Sequence, residues 1–303
     1  MLNKIKSKIK YIYEEKYKWL MIIPALLVIL ALVQILTQYS TTGEFVHKGI
    51  TLKGGSTIAL NFNPGISATE LETFLQSRFP TLDMSVRTMS TTGKVIGLAI
   101  DSAAQQNSEI ENILSALKEK MTLTPNDYNV EIVGSALGEN FFKQTILAVL
   151  VSFLFMSIVV IIYFRYLIPS LAVILSAFSD IVVTMAIFNL TGMKLSTAGV
   201  AAFLMLIGYS VDTDVLLTAR LLKRKEGTEL HRIYGSISTG MTMVAATTFA
   251  VLMAMLFVQS EIIKQIMMII FIGSLVDIIM TWIQNVGMLR LYLEYRHKKG
   301  HVN

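Results

Sequence analysis

The sequence predicts a polytopic α-helical membrane protein with six transmembrane helices, one followed by five. An extracytoplasmic α+β ferredoxin-like domain is expected between the first and the second. Three observations lead there. Of 303 residues, 53% are hydrophobic and only 16% charged, with a mean hydropathy of +0.60, a balance foreign to soluble enzymes. Six apolar runs reach the roughly 20 residues that a bilayer core requires. Between the first two runs lies a long polar stretch, residues 38–140, built of turn signals and alternating patterns.

The first 18 residues form a basic tail, six lysines against Glu14 and Glu15. The apolar run from Trp19 to Thr37 follows. It is longer than a signal-peptide core and has no small-x-small cleavage site after it, so it reads as a retained first span, residues 19–37. Tyr17 and Trp19 would sit at the inner interface, where aromatic belts form.

In the polar stretch, Ser56–Phe62 alternates as a strand. Ser67 follows Pro64-Gly65 and caps a helix to about Phe79, with Glu70 completing a capping box. Asp83–Ser90 and Lys94–Ile100 read as a hairpin across Thr91-Thr92-Gly93. Asn107 is expected to cap a second helix to about Lys120, and Tyr128–Val133 is a last strand. The order β-α-β-β-α-β is that of the ferredoxin-like unit.

Five spans then fill residues 144–290: Gln144–Phe164, Pro169–Leu190, Ser196–Leu222, Ser236–Val258 and Ile262–Leu289, ahead of a tail over 291–303. Alternate connections carry Arg165, then Lys223, Arg224, Lys225 and Arg232, then the basic tail. The opposite connections carry only Lys194, with Lys264 just beyond one of them. The positive-inside rule places both termini in the cytoplasm, residues 38–140 outside, and the chain in the cell membrane. Lys223, Arg224 and Lys225 read as a cytoplasmic anchor on lipid headgroups, and Arg220 as a snorkelling residue.

Four acids interrupt the spans: Asp180 in the third, Asp212 and Asp214 in the fourth, Asp277 in the sixth. An ionised Asp at a helix centre costs about 2.5–3.5 kcal/mol on a translocon scale, so intramembrane acids are functional-site candidates. Asp212 lies about 12 Å along the axis from Arg220, too far for an ion pair. Asp212 and Asp214 point about 200° apart and cannot share a partner. Asp212 shares a face with Gly208 and Tyr209, and is the acid expected in the bundle interior or at a subunit seam. Gly199, Ala202, Gly208, Tyr209 and Ser210 are the residues expected to pack that helix closely or to form that seam. Two readings stay open. The acids are hydrogen-bonded glue between helices, or at least one takes up and releases a proton, as burial lets a carboxyl do near neutral pH.

The chain has no cysteine, and its four histidines show no metal-ligand spacing, so neither a metal site nor a disulfide is expected. No nucleophile–base pair appears, and Lys53-Gly-Gly-Ser lacks phosphate-loop spacing, so neither enzyme activity nor a cofactor is expected. The positive charge tracks span ends and marks no nucleic-acid surface.

One span, an outside domain, then five closely spaced spans is similar to the half-unit of the resistance–nodulation–division superfamily. Within it, Ile207-Gly-Tyr-Ser-Val-Asp-Thr-Asp214 followed by Arg220 resembles the SecF family of protein-export membrane proteins. Gly49-Ile-Thr-Leu-Lys-Gly-Gly-Ser56, Val133-Gly-Ser-Ala-Leu-Gly138 and Phe178-Ser-Asp180-Ile-Val match further family segments. The form resembles the archaeal one. Asp-Thr-Asp stands for the bacterial Asn-Asp-Thr, and the fifth-span arginine of many bacterial members falls on Gly240. The resemblance implies a subunit that pairs with a SecD-like partner beside the Sec translocon channel and assists export or membrane insertion of a translocating polypeptide. It also implies proton flow through acids at the seam of the two subunits. A proton-coupled exporter of lipid or small molecules, or a passive translocon scaffold, are the alternatives.

Overall fold

The computed structural model describes residues 10–60, 65–91, 94–223, 227–258 and 260–300. Six helices among them are long and apolar enough to cross a membrane: Tyr17–Thr42, Ser135–Phe164, Leu167–Leu190, Thr197–Lys223, Glu229–Phe257 and Ile262–Lys298. The first runs past Thr37 to Thr42, because Thr37, Thr41 and Thr42 turn their hydroxyls back onto carbonyls of the preceding turn. Gly43 then ends it with a left-handed φ of 72°. The second begins at Ser135, directly after the last strand.

The six divide into an inner and an outer set. In the third, fourth and sixth spans, 61%, 56% and 50% of the most apolar window is buried. The first, second and fifth bury 11%, 6% and 17%. The fourth span is central and packs on the second, third, fifth and sixth, while the first lies along the third. The acids sit in the inner set, and the helices that face outward carry none in their middles. Apolar side chains can meet lipid at no cost, whereas polar ones have to be enclosed by protein.

The domain between the first two spans has four strands, β1 (Gly55–Leu60), β2 (Met84–Thr91), β3 (Lys94–Ser102) and β4 (Tyr128–Val133), in the order β2-β3-β1-β4 with every neighbour antiparallel. The register pairs Ile58 with Ile100 and with Val130. One sheet face packs Ile58, Leu60, Leu98 and Ile100 against Leu71 and Leu75 of the helix Ala68–Arg78 and Ile113 and Leu117 of the helix Asn107–Lys120. Ser67 caps the first helix, accepting from the Glu70 N–H at 3.2 Å. The second is capped by Gln106 rather than Asn107. The Glu109 carboxylate reaches back to the N–H groups of Gln105 and Gln106, which leaves Asn107 as the first helical residue. The hairpin tip at Thr92-Gly93 and the strand end at Asn61-Phe62 lie outside the described residues.

The domain is fastened to the bundle. Leu195, between the third and fourth spans, donates to the His47 carbonyl at 2.6 Å and accepts from the Gly49 N–H at 2.8 Å. Lys194 reaches Asp83 at 2.7 Å, and Gln265 of the sixth span holds the Lys194 carbonyl at 2.5 Å. Gly54, at φ 89°, lets the start of the second span come so near that a Cβ there would stand 2.5 Å from the Ser135 Cα.

Candidate functional site: a buried acid cluster

Each inner span turns inward one acid in line with polar residues at helical spacing. The third has Ser176, Asp180 and Thr184, the fourth Ser210, Asp214 and Thr218, the sixth Asp277, Thr281 and Asn285. Positions i, i+4 and i+8 share one helix face, and these three faces turn toward one another. All nine residues are buried, none more than 1% exposed.

The hydroxyl of Ser210 donates to the Asp180 carboxylate across the third and fourth spans. Thr213 Oγ1 lies 2.8 Å from the Ser210 carbonyl oxygen and 3.1 and 3.2 Å from the two Asp277 carboxyl oxygens. Thr281 donates to Asp277 at 2.8 Å, and Asn285 Nδ2 donates to Asp214 Oδ1 at 2.7 Å. Gln284 adds a bond to Ser179 Oγ at 3.1 Å. Asp277 lies close enough to both Asp180 and Asp214 to repel a charge on either, and among the described residues no Lys, Arg or His faces the three. Among the described residues no group of three His, Asp or Glu side chains is placed to hold a metal.

The last helix is distorted at this depth. Met280–Asn285 is a π-helical turn, which admits an extra residue and lets Thr281, Gln284 and Asn285 all face inward. Sequence reasoning passed over these three. Their signal was the polar series Ser274, Asp277 and Thr281 at three- and four-residue steps within an apolar run, with Gln284 and Asn285 three and four residues beyond Thr281.

Of the fourth-span pair, the interior acid is Asp214. Asp212 is exposed on the opposite face, so of the two places expected for it the bundle interior is not the one it takes. The helix can turn only one face inward, and that face carries Ser210, Asp214 and Thr218. Asp212 shares its outward face with Ala201, Met205 and Gly208, and a Cβ at Gly208 would meet nothing within 4 Å. Gly199, Ala202 and Ser210, by contrast, are buried within this chain. Tyr209 lines an apolar cavity of about 330 Å³ between the fourth, fifth and sixth spans. Arg220 donates to the Gly235 carbonyl at 2.7 Å, and Lys223 sits over the Tyr163 ring at 3.4 Å. Arg224 and Lys225 lie outside the described residues.

Residues 112–295 match the family described as "Protein export membrane protein SecD/SecF, C-terminal". The chain belongs to the SecD/SecF family. It is 37% identical over 298 residues to the protein-export membrane protein SecF of Pyrococcus furiosus, covering 98% of each chain. Identity to the SecF of Methanothermobacter thermautotrophicus is 37% over 287 residues, 93% of this chain and 94% of that one. A crystal structure of SecDF, a translocon-associated membrane protein from Thermus, superposes with a TM-score of 0.71 at 18% identity. The match covers 92% of this chain and 38% of that longer one, a likeness of fold.

The SecD/SecF membership sharpens one departure seen in the sequence. Gly240, where the resemblance expects an arginine, is buried against the sixth span, and a Cβ there would run into the Trp282 ring. Trp282 belongs to the π turn, so the distorted helix fills the space beside the fifth span. The acids of this chain therefore face hydroxyl and amide groups, with no arginine reaching them from that position.

Proposed function

We propose that this chain is a SecF-like subunit that pairs with a SecD-like partner, associates with the Sec translocon channel, and assists export or membrane insertion of polypeptides. Proton movement through the intramembrane acids drives the work. The observation that carries this reading is the meeting of Asp180, Asp214 and Asp277 from three separate spans, fully buried and with no basic partner among the described residues. Packing alone is served at lower cost by apolar side chains. A cluster joining three helices can instead change their packing when it gains or loses a charge.

The outward face holding Gly208 and Asp212 supports the partnership. A small-residue stripe allows close helix approach, and an acid facing lipid alone would be costly. In this reading the termini are cytoplasmic, and the domain acts on the emerging chain on the other side. Proteoliposomes holding the translocon, the partner and this chain test it. A pH gradient should accelerate export, and Asp180→Asn or Asp277→Asn should remove that acceleration while the complex still assembles. Export indifferent to the gradient would leave a passive scaffold.

A further inference from the structure

The segment ahead of the first span lies against the last turns of the sixth. Residues 10–15 wind as a short helix, too short to keep that form alone in water. Arg290 holds its end, donating from Nη1 to the Tyr13 carbonyl at 3.0 Å and from Nη2 to the Glu14 carbonyl at 2.8 Å. These are acceptors that a helix C-terminus leaves open. The same guanidinium sits over the Tyr17 ring at 4.0 Å. One turn further on, Glu294 accepts from the Tyr17 hydroxyl and pairs with Lys18 at 2.9 Å. The fifth span joins through Tyr234, whose hydroxyl donates to Glu14 at 3.0 Å.

This bracket delivers one group to the π turn. The Tyr13 ring packs on the cluster that holds Trp282, Val286 and Leu289, and its hydroxyl donates to the Trp282 carbonyl at 2.9 Å. In an α-helix that carbonyl would take the N–H four residues along, which belongs to Val286. Val286 instead donates to the Thr281 carbonyl, five residues back, and to that of Ile283. The Tyr13 hydroxyl therefore supplies the bond that ordinary winding would draw from Val286, and it favours the turn with its extra residue. Rewinding as α-helix would shift the phase of the residues beyond by roughly 100°. Asn285, which donates to Asp214 Oδ1 at 2.7 Å, closes this turn.

We infer that Tyr13 is a positioning residue for the acid cluster: from outside the bundle it keeps the π turn wound so that Asn285 meets Asp214. Its consequence for transport rests on the reading of that cluster as the proton-handling centre.

Hydrogen exchange of the full chain, read over the π turn, tests the winding, and gradient-driven export in the proteoliposomes tests the consequence. Tyr13→Phe keeps the ring and removes the donor. It should speed exchange of the Ile283, Val286 and Gly287 amides and reduce the export gained from a pH gradient, each by about threefold to tenfold, the weight of one hydrogen bond. Tyr234→Phe removes a hydroxyl from the same bracket without touching the π turn, and should change neither. Unchanged exchange in Tyr13→Phe overturns the inference, as does exchange that rises equally in Tyr234→Phe or throughout the inner spans, which would leave Tyr13 a packing residue. Should Tyr13→Phe not fold, Arg290→Lys loosens the segment with Tyr13 in place, and unchanged exchange at the π turn there overturns it equally. Faster exchange with the full gradient effect retained would sink the positioning role. Faster exchange in Tyr13→Phe, with wild-type export indifferent to any gradient, would sink the proton reading and leave the hold on the π turn standing.

Discussion

Asp212 and Asp214 are two residues apart and occupy opposite environments, one exposed on the outer face and one buried against Asn285. Between them, Thr213 places one hydroxyl among the Ser210 carbonyl and both Asp277 oxygens. A single proton facing three acceptors makes this the most exacting position in the cluster. Replacing Thr213 with Val keeps the shape and removes the donor, which should cost about 1–3 kcal/mol of stability, the range for stranding a buried polar group. Thr213→Ser should recover most of it. Equal unfolding midpoints for wild type and Thr213→Val would mean that Asp277 does not depend on this hydroxyl.

Among elements, the approach of the fifth span to the sixth is set by Gly240 against Trp282. Introducing the arginine of many bacterial members, Gly240→Arg, should destabilise the bundle by about 2–4 kcal/mol or prevent assembly, as overpacking and a buried unpaired charge act together. Adding Trp282→Ala should restore folding, since the ring is what fills the space. A double-mutant cycle read by detergent-solubilised yield and unfolding temperature measures the coupling. Additive losses would place the obstruction elsewhere. The α/β domain between the first two spans shows a second element-level device. Glu72 accepts from the Val86 N–H at 2.9 Å and Gln76 donates to the Met84 carbonyl at 3.3 Å, which closes the outer edge of β2 and guards against unwanted strand pairing.

At the scale of the whole molecule, the domain is tied to the bundle at the junction that opens the fourth span, the helix bearing Asp214. The tie has a charged part, Asp83 with Lys194, beside the pair that Asp83 makes with Lys53 within the segment between the first two spans, and a backbone part, Leu195 with His47 and Gly49. Asp83 is half exposed in both pairs, and such pairs contribute about 0–1 kcal/mol. Asp83→Ala should therefore leave the domain docked, with the Leu195 amide still protected from hydrogen exchange. Gly49→Pro removes the N–H that donates to the Leu195 carbonyl, and exchange at Leu195 should rise. The reverse ranking would make the charges the dominant tie.

Much of this was written in the chain. Apolar run length and charge bias predict six spans with a polar insert, because the cost of exposing polar groups to lipid acts on each helix by itself. The β-α-β-β-α-β order follows from local patterns and caps, with the single slip from Gln106 to Asn107, where two adjacent polar residues offer similar capping. The three polar series at four-residue steps, each holding an acid, were also readable, and they mark which spans turn inward. What residue spacing could not decide was which of Asp212 and Asp214 faces the interior, since both faces of the fourth span carry small residues and an acid. Only packing against the third and sixth spans, with Asn285 brought round by the π turn, selects Asp214. The bond from Ser210 to Asp180 likewise depends on the depth at which the third and fourth spans pass, a long-range alignment that local periodicity does not encode.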